Sequence, residues 1–372
     1  MLTHEGRTGQ AMVLGIVFLS IGVILLLGLF RLSLAVRDKI RLQLSADLAL
    51  KSALNVEANG LNAIALANRA MLSDDALSAQ VNALVSETTF YRRLLDGFSR
   101  IIRFIPGGGL AFSAVLGRGG RAMEALARKG ARILIPAARI HRTIIGSEQR
   151  MIRASLPFVS LKAAGKSVSE NFPGALIPSI SQALLLRQAR SVSSSMAPPP
   201  GTDTTRIIRS TLNSHTLRRN WRIGFGAISL PIKKRGGGSV LPNDFTAFDK
   251  LKVRTFRRFH WTWKTVLSTA SRSSRFGYRS HGRTLNISDG KFTPGLTLLM
   301  ESRPPRFSEG LSGYENKLYA VSSGEIYYER PEKPDEAPNL FNPFWRSRLI
   351  PVSKETTARR LIPRPLLKEV RH

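Results

Sequence analysis

The densest run of chemically capable side chains is Arg254–Lys264, RTFRRFHWTWK. Cations interleaved with Phe256, Phe259, Trp261 and Trp263 are what a surface needs to stack bases and neutralise phosphates. Arg254, Arg257, Arg258, Trp261, Trp263 and Lys264 are the residues that would carry such an anionic-partner surface. The same alternation describes a single strand with an aromatic core face and a cationic solvent face. The core-strand reading is the preferred one.

No other constellation points to chemistry. The histidines at 4, 141, 215, 260, 281 and 372 are scattered, with no pair at metal-ligand spacing. There is no G-x-S-x-G elbow, and the glycine clusters at 107–109, 117–120 and 236–238 match neither a P-loop nor a dinucleotide fingerprint. Gly117-Arg118-Gly119-Gly120 before a helical stretch has the makings of an anion site at a helix N-terminus, although a plain loop is the preferred reading. Asp74 and Asp75 read as bordering the end of a helix rather than as an acid–base pair. Cysteine is absent, which excludes disulfides and thiolate metal sites. The expectation is a non-enzymatic chain without catalytic residues, cofactor or metal.

Charge narrows the partners. Lys and Arg number 56 against 25 acids, a net charge of +31, and residues 1–30 hold only Arg7 and Glu5 among the charged types. A field of this sign favours nucleic acid, anionic lipid, cell-wall polymers or acidic protein surfaces without choosing among them.

The elements that must position these residues begin with a membrane-type segment. Ala11 to Phe30 is 20 positions without a charge. Twenty helical residues at about 1.5 Å each span the roughly 30 Å hydrocarbon core of a bilayer. A cleaved signal has a shorter apolar core of about 7–15 residues and a small-residue cleavage site; here Arg31-Leu32-Ser33-Leu34 follows instead. Arg31, Arg37, Lys39 and Arg41 lie just beyond the span. The positive-inside rule alone therefore places the C-terminal bulk in the cytoplasm.

Beyond the span, no proline precedes Pro106, and Leu32, Val36, Ile40, Leu44 and Leu48 recur every fourth residue. That predicts one long helix continuing to about Val85, with a break near Asn59-Gly60. Asn55, Asn59, Asn62 and Asn68 read as a polar helix flank or helix–helix contacts. Residues 101–145 mix short apolar runs with arginines and Pro106-Gly107-Gly108-Gly109, which argues against a second span and for a basic amphipathic helical insertion touching a membrane surface or a partner helix. Residues 148–192 are helical, broken at Pro157, Pro173 and Pro178.

Strand signals follow at Trp221–Ala227, Leu251–Val253, Leu296–Met300 and Leu318–Tyr328. The expected class is α+β: a long N-terminal transmembrane and stalk helix, a helical insertion, and a C-terminal β-rich domain. The expected divisions are an N-terminal segment 1–30 with the span at about 11–30, a helical stalk 31–85, and a basic helical region 86–192. A linker 193–205, a β-rich globular domain 206–350 and a basic tail 351–372 complete them.

Gly9-Gln10-Ala11, the apolar run, Lys39 to Gln43 and Ala46-Asp47-Leu48-Ala49-Leu50 resemble the N-terminal module of Tad (tight adherence, Flp) pilus-assembly proteins of TadE/TadG type. Leu61 to Met71 is similar to the "LN-x-x-A-x-x-NRAM" continuation of longer members, and Tyr319–Tyr328 and Asn339–Trp345 to their C-terminal end. The resemblance implies a pilin-like helix in the inner membrane, the bulk of the chain in the periplasm, and a role in type IV-like pilus assembly or secretion and in adhesion. Other pilus-assembly proteins, pilins and anionic envelope polymers are the partners it implies, and nucleic acid is not expected outside the cytoplasm. A cut at Gly9 would put Leu14, and at Gly6 Ala11, where prepilin processing sites carry Glu. Peptidase cleavage is therefore not predicted. A membrane-tethered nucleic-acid or polyanion-binding protein is the alternative reading.

Overall fold

A computed structural model describes residues 5–196, 204–225, 228–241, 244–257, 260–276, 295–302 and 317–352. The class is α+β. Helix α1, Glu5–Ile102, is 98 residues long, about 150 Å at 1.5 Å per residue. It forms because nothing in the stretch breaks it: proline is absent, and alanine and leucine dominate. It does not break at Gly60. A Cβ there would sit 2.7 Å from Leu156 Cδ1, so the glycine lets a second helix press close.

That second helix, α2, is Gly109–Asn171. The turn between them needs the left-handed backbone of Gly107 (φ 86°) and Gly108 (φ 142°). α2 returns antiparallel along α1, as contacts of Asp75 with Arg142, Asn68 with Gln149 and Glu57 with Ser160 record. Gly117, Glu124, Ala131, Ala138 and Ile145, buried at every seventh position, give the seam a coiled-coil period. The basic insertion expected over 101–145 is thus one arm of a helical hairpin, and its partner helix is α1.

Several local expectations change here. Asp74 and Asp75 lie inside α1 rather than at its end, and face His141 and Arg142 of α2. The 117–120 glycines are helical, neither a loop nor a helix start, and Gly120 is where α2 approaches the Arg92 backbone. Pro136 and Pro157 are accommodated within α2. The helix ends before Pro173, and β1 (Ala175–Leu176) and α3 (Ser179–Ser195) follow. Then come α4 (Thr204–Thr211) and α5 (Ser214–Leu217). Of the expected linker 193–205, residues 197–203 lie outside the described residues, as does the tail from 353.

Two antiparallel sheets complete the fold. The strands are β2 (Trp221–Phe225), β3 (Ile228–Leu241), β4 (Asp244–Arg257), β5 (His260–Arg272), β6 (Gly295–Ser302), β7 (Leu318–Tyr328) and β8 (Trp345–Ile350). β2 to β5 form a meander, and β1-β6-β7-β8 a second sheet. The strand-forming half is therefore two sheets laid in series along α1.

The β1-β6-β7-β8 sheet packs Leu298, Met300, Ala320 and Ile326 against Leu42, Ala46, Leu50 and Leu54. The asparagines of α1 serve this sheet more than helix–helix contacts. Asn62 donates to the Trp345 carbonyl (3.0 Å) and accepts from its N–H (2.9 Å), imitating a neighbouring strand. Asn68 donates to the Leu340 carbonyl (2.7 Å), and Asn55 bonds Ser347 Oγ. The stripe Leu32, Val36, Ile40, Leu44 and Leu48 faces away from the sheet and is exposed, at 60% for Leu32 and 38% for Leu48.

Candidate functional site

The β2–β5 meander is clamped to α1 by buried polar groups. Asn82 donates to the Phe245 carbonyl (2.9 Å) and Ser86 Oγ to Asp249 Oδ2 (2.7 Å). Asp249, fully buried, takes a two-pronged bond from Arg219 (3.2 and 3.0 Å) and lies 3.3 Å from Lys234 Nζ. Lys234 also pairs with Glu87 of α1 at 2.6 Å. Its ammonium stands 5.1 Å from the Phe90 ring centre and 4.8 Å from that of Tyr91. Buried charges persist only when each is matched in this way. The 236–238 glycines lie in β3 beneath this cluster; a Cβ at Gly236 would meet Asp249 Oδ1, and one at Gly238 the Phe245 ring. They are packing positions.

Strand alternation turns the opposite face outward. Lys250, Lys252 and Arg254 project from β4 at period two, beside Lys233 and Arg235 of β3 and Arg222 of β2. Arg222, Lys233 and Lys252 oppose one another directly in one cross-strand row. Like charges so placed repel. Partial burial, and then the neighbouring Arg235, Lys252, Arg222 and Arg254, lower the Lys233 pKa. Aromatic rings divide the cations: Lys233 Nζ lies 3.6 Å from the Trp263 ring centre, the Arg254 guanidinium 5.1 Å from that of Trp261, and Lys250 5.6 Å from that of Phe248.

The Arg254–Lys264 run is not one strand. It is the β4–β5 hairpin end, with Arg254 opposite Trp263, Phe256 opposite Trp261 and Arg257 opposite His260. Nor is its aromatic face a core: Trp261 is 55% exposed and Trp263 half-buried. Arg254, Trp261 and Trp263 come together on the outer face, whereas Lys264 opposes Val253 and belongs to the other face. Arg258 lies outside the described residues. Arg222, Lys233, Arg235, Lys250 and Lys252 belong to the same surface and are not in the sequence-derived set. The period-two spacing of Lys250, Lys252 and Arg254 is the signal that reveals three of the outer cations.

Among the described residues no group of three or more His, Cys, Asp or Glu side chains is placed to hold a metal ion. One helix among the described residues, α1, is long and apolar enough near the N-terminus to cross a membrane, and that segment is unburied. Comparison with protein families, with curated proteins and with solved structures finds no match to this chain.

Proposed function

We propose that the chain is a non-enzymatic component of a Tad/Flp-type, type IV-like pilus assembly or secretion apparatus, held in the bacterial inner membrane by its first helix with the bulk periplasmic. The observation that carries the reading is the exposed stripe on α1. Past the charge-free span, Leu32, Val36, Ile40, Leu44 and Leu48 remain in solvent, while Leu42, Ala46, Ala49 and Leu50 hold the β1-β6-β7-β8 sheet. A helix that keeps an apolar face uncovered outside lipid is suited to lie beside another such helix, as in a filament or its assembly base. The resemblance of residues 9–50 to the TadE/TadG module agrees with this use.

A reporter fused after His372 tests the topology. Activity on the periplasmic side, with loss of surface pili and tight adherence on deletion, is expected. Cytoplasmic reporter activity would end this reading in favour of the alternative, a membrane-tethered nucleic-acid or polyanion-binding protein. The cationic, aromatic outer face of β2–β5 specifically favours that alternative, and it also suits docking to acidic pilus subunits or anionic envelope polymers.

A further inference from the structure

The far end of the α1–α2 hairpin is used by neither the anchor nor the outer sheet face. From Gly97 to Met123 the chain has Arg100, Arg103, Arg118 and Arg121 and no acid. Its apolar side chains are in solvent: Phe104 is 75% exposed, Leu110 73%, Ile101 68% and Val115 65%, with Phe98, Ile105 and Phe112 all above half. Their arrangement excludes a one-sided stripe. Leu110 and Phe112, two residues apart on α2, diverge by about 200° around its axis, and Phe104 and Ile105 occupy the turn itself. The Arg103 guanidinium stacks 4.9 Å from the Phe104 ring centre, joining cation to apolar surface.

A tip whose apolar side chains point all round, with Arg103 stacked on Phe104 and Arg100, Arg118 and Arg121 set back along the helices, has the chemistry of an element pushed end-on into lipid, its set-back cations at the headgroup level. A partner helix would cover one side only. The 72 helical residues from Arg31 to Ile102 put this tip about 110 Å from the end of the membrane-type segment. We infer that the hairpin tip inserts into an anionic bilayer other than the one that holds α1, so that the chain bridges two lipid surfaces. The distance rests on the membrane-anchor part of the proposed function; the tip's affinity for lipid does not.

The chain has no cysteine, so Ala111→Cys gives a single site for an environment-sensitive fluorophore. The full chain is held by its own helix in phosphatidylcholine nanodiscs and titrated with vesicles, either phosphatidylcholine alone or mixed with phosphatidylglycerol. The fluorophore should brighten and shift to the blue with the mixed vesicles, and nanodiscs should float with them. Phe104→Ser with Phe112→Ser should weaken that response about tenfold or more. Arg100→Gln with Arg103→Gln should reduce the preference for phosphatidylglycerol, and Lys162→Gln with Lys166→Gln, exposed on α2 far from the tip, should leave the fluorophore response intact.

Co-flotation without a fluorophore response would place the contact on the outer sheet face and overturn the inference. So would a fluorophore response only to an acidic amphipathic peptide, or indifference to the paired phenylalanine change. Failure of the chain to enter nanodiscs at all would instead strike the anchor, and free chain binding vesicles through Ala111→Cys would still report the tip.

Discussion

Replacing Glu57 by glutamine should abolish a pH dependence of stability that the native chain carries between about pH 4.5 and 7. Glu57 is fully buried in the α1–α2 seam. One oxygen accepts a bond from Ser160 Oγ (3.0 Å), and the other has no hydrogen-bond partner. Burial outweighs the Ser160 bond and raises the carboxyl pKa from 4.5 to about 7. Below the lower value both folded and unfolded chains hold the proton. Between the two values the folded chain keeps a proton that the unfolded chain has released. Stability therefore falls as pH rises, by about 1.4 kcal/mol per pH unit. Across the interval the loss is on the order of 3 kcal/mol, complete above about pH 7. Glutamine is neutral throughout and keeps the acceptor for Ser160.

The assay is denaturant unfolding of the full chain in detergent micelles, read by helical circular dichroism from pH 5 to pH 8. The difference between the two proteins cancels the other titrating groups. The variant should gain on the native chain steadily with pH and lead by about 3 kcal/mol at pH 8. Parallel pH profiles for the two proteins would refute the reasoning, because then the buried carboxyl would not be the group that titrates.

Asp249→Ala should cost about 3–5 kcal/mol by leaving buried Arg219 without its carboxylate and buried Lys234 with Glu87 alone. Hydrogen exchange should rise over β3 and β4 while β6 and β7, held at a different part of α1, stay protected. Gly238→Val, whose Cβ would lie 2.5 Å from Phe245 Cζ and 2.9 Å from the Thr216 carbonyl, should destabilise the same sheet by about 1–3 kcal/mol in urea titration. Asn62→Ala leaves the Trp345 N–H and carbonyl without their α1 partners; a loss of about 1–3 kcal/mol and faster exchange at β8 are expected. Lys252→Ala with Arg254→Ala should lower the salt slope of binding to a single-stranded oligonucleotide by about 1.4 if those cations meet phosphates. An unchanged slope would remove the outer face from that role.

The long helix was legible because a stretch without proline and rich in alanine has little else to become. It runs past Val85 to Ile102, and Gly60, which reads as a breaker, is not one, because its missing side chain is what Leu156 packs over. The hairpin seam was hidden for a related reason. Small buried residues such as Ala131 and Ala138 line it, while the conspicuous Leu126, Ile133 and Ile140 are exposed. A search for large apolar residues at helical spacing therefore follows the wrong face.

β2, β6 and β7 are marked in the sequence, whereas β1, β3 and β8 and the division into two sheets are not. That division is set by contacts such as Asn62 with Trp345, 283 residues apart, which no local pattern encodes. Within the candidate surface, Arg254, Trp261 and Trp263 are readable, yet Arg258-Phe259, between the two strands in sequence, holds no Gly, Asn or Pro to signal a turn. The run therefore reads as one strand, and the column Lys250-Lys252-Arg254 becomes a surface only through the cross-strand register of β3, β4 and β5.

Because α1 has no interruption from Glu5 to Ile102, everything attached to it moves as cargo on one rod. The β1-β6-β7-β8 sheet is fastened between Lys39 and Asn68, the β2–β5 meander between Asn82 and Arg93, and α2 runs back along the same shaft. A pull that advanced the lipid end by one residue's rise, about 1.5 Å, would advance both sheets and the tip by the same step. A chain so built transmits an axial stroke over about 110 Å without a joint to absorb it.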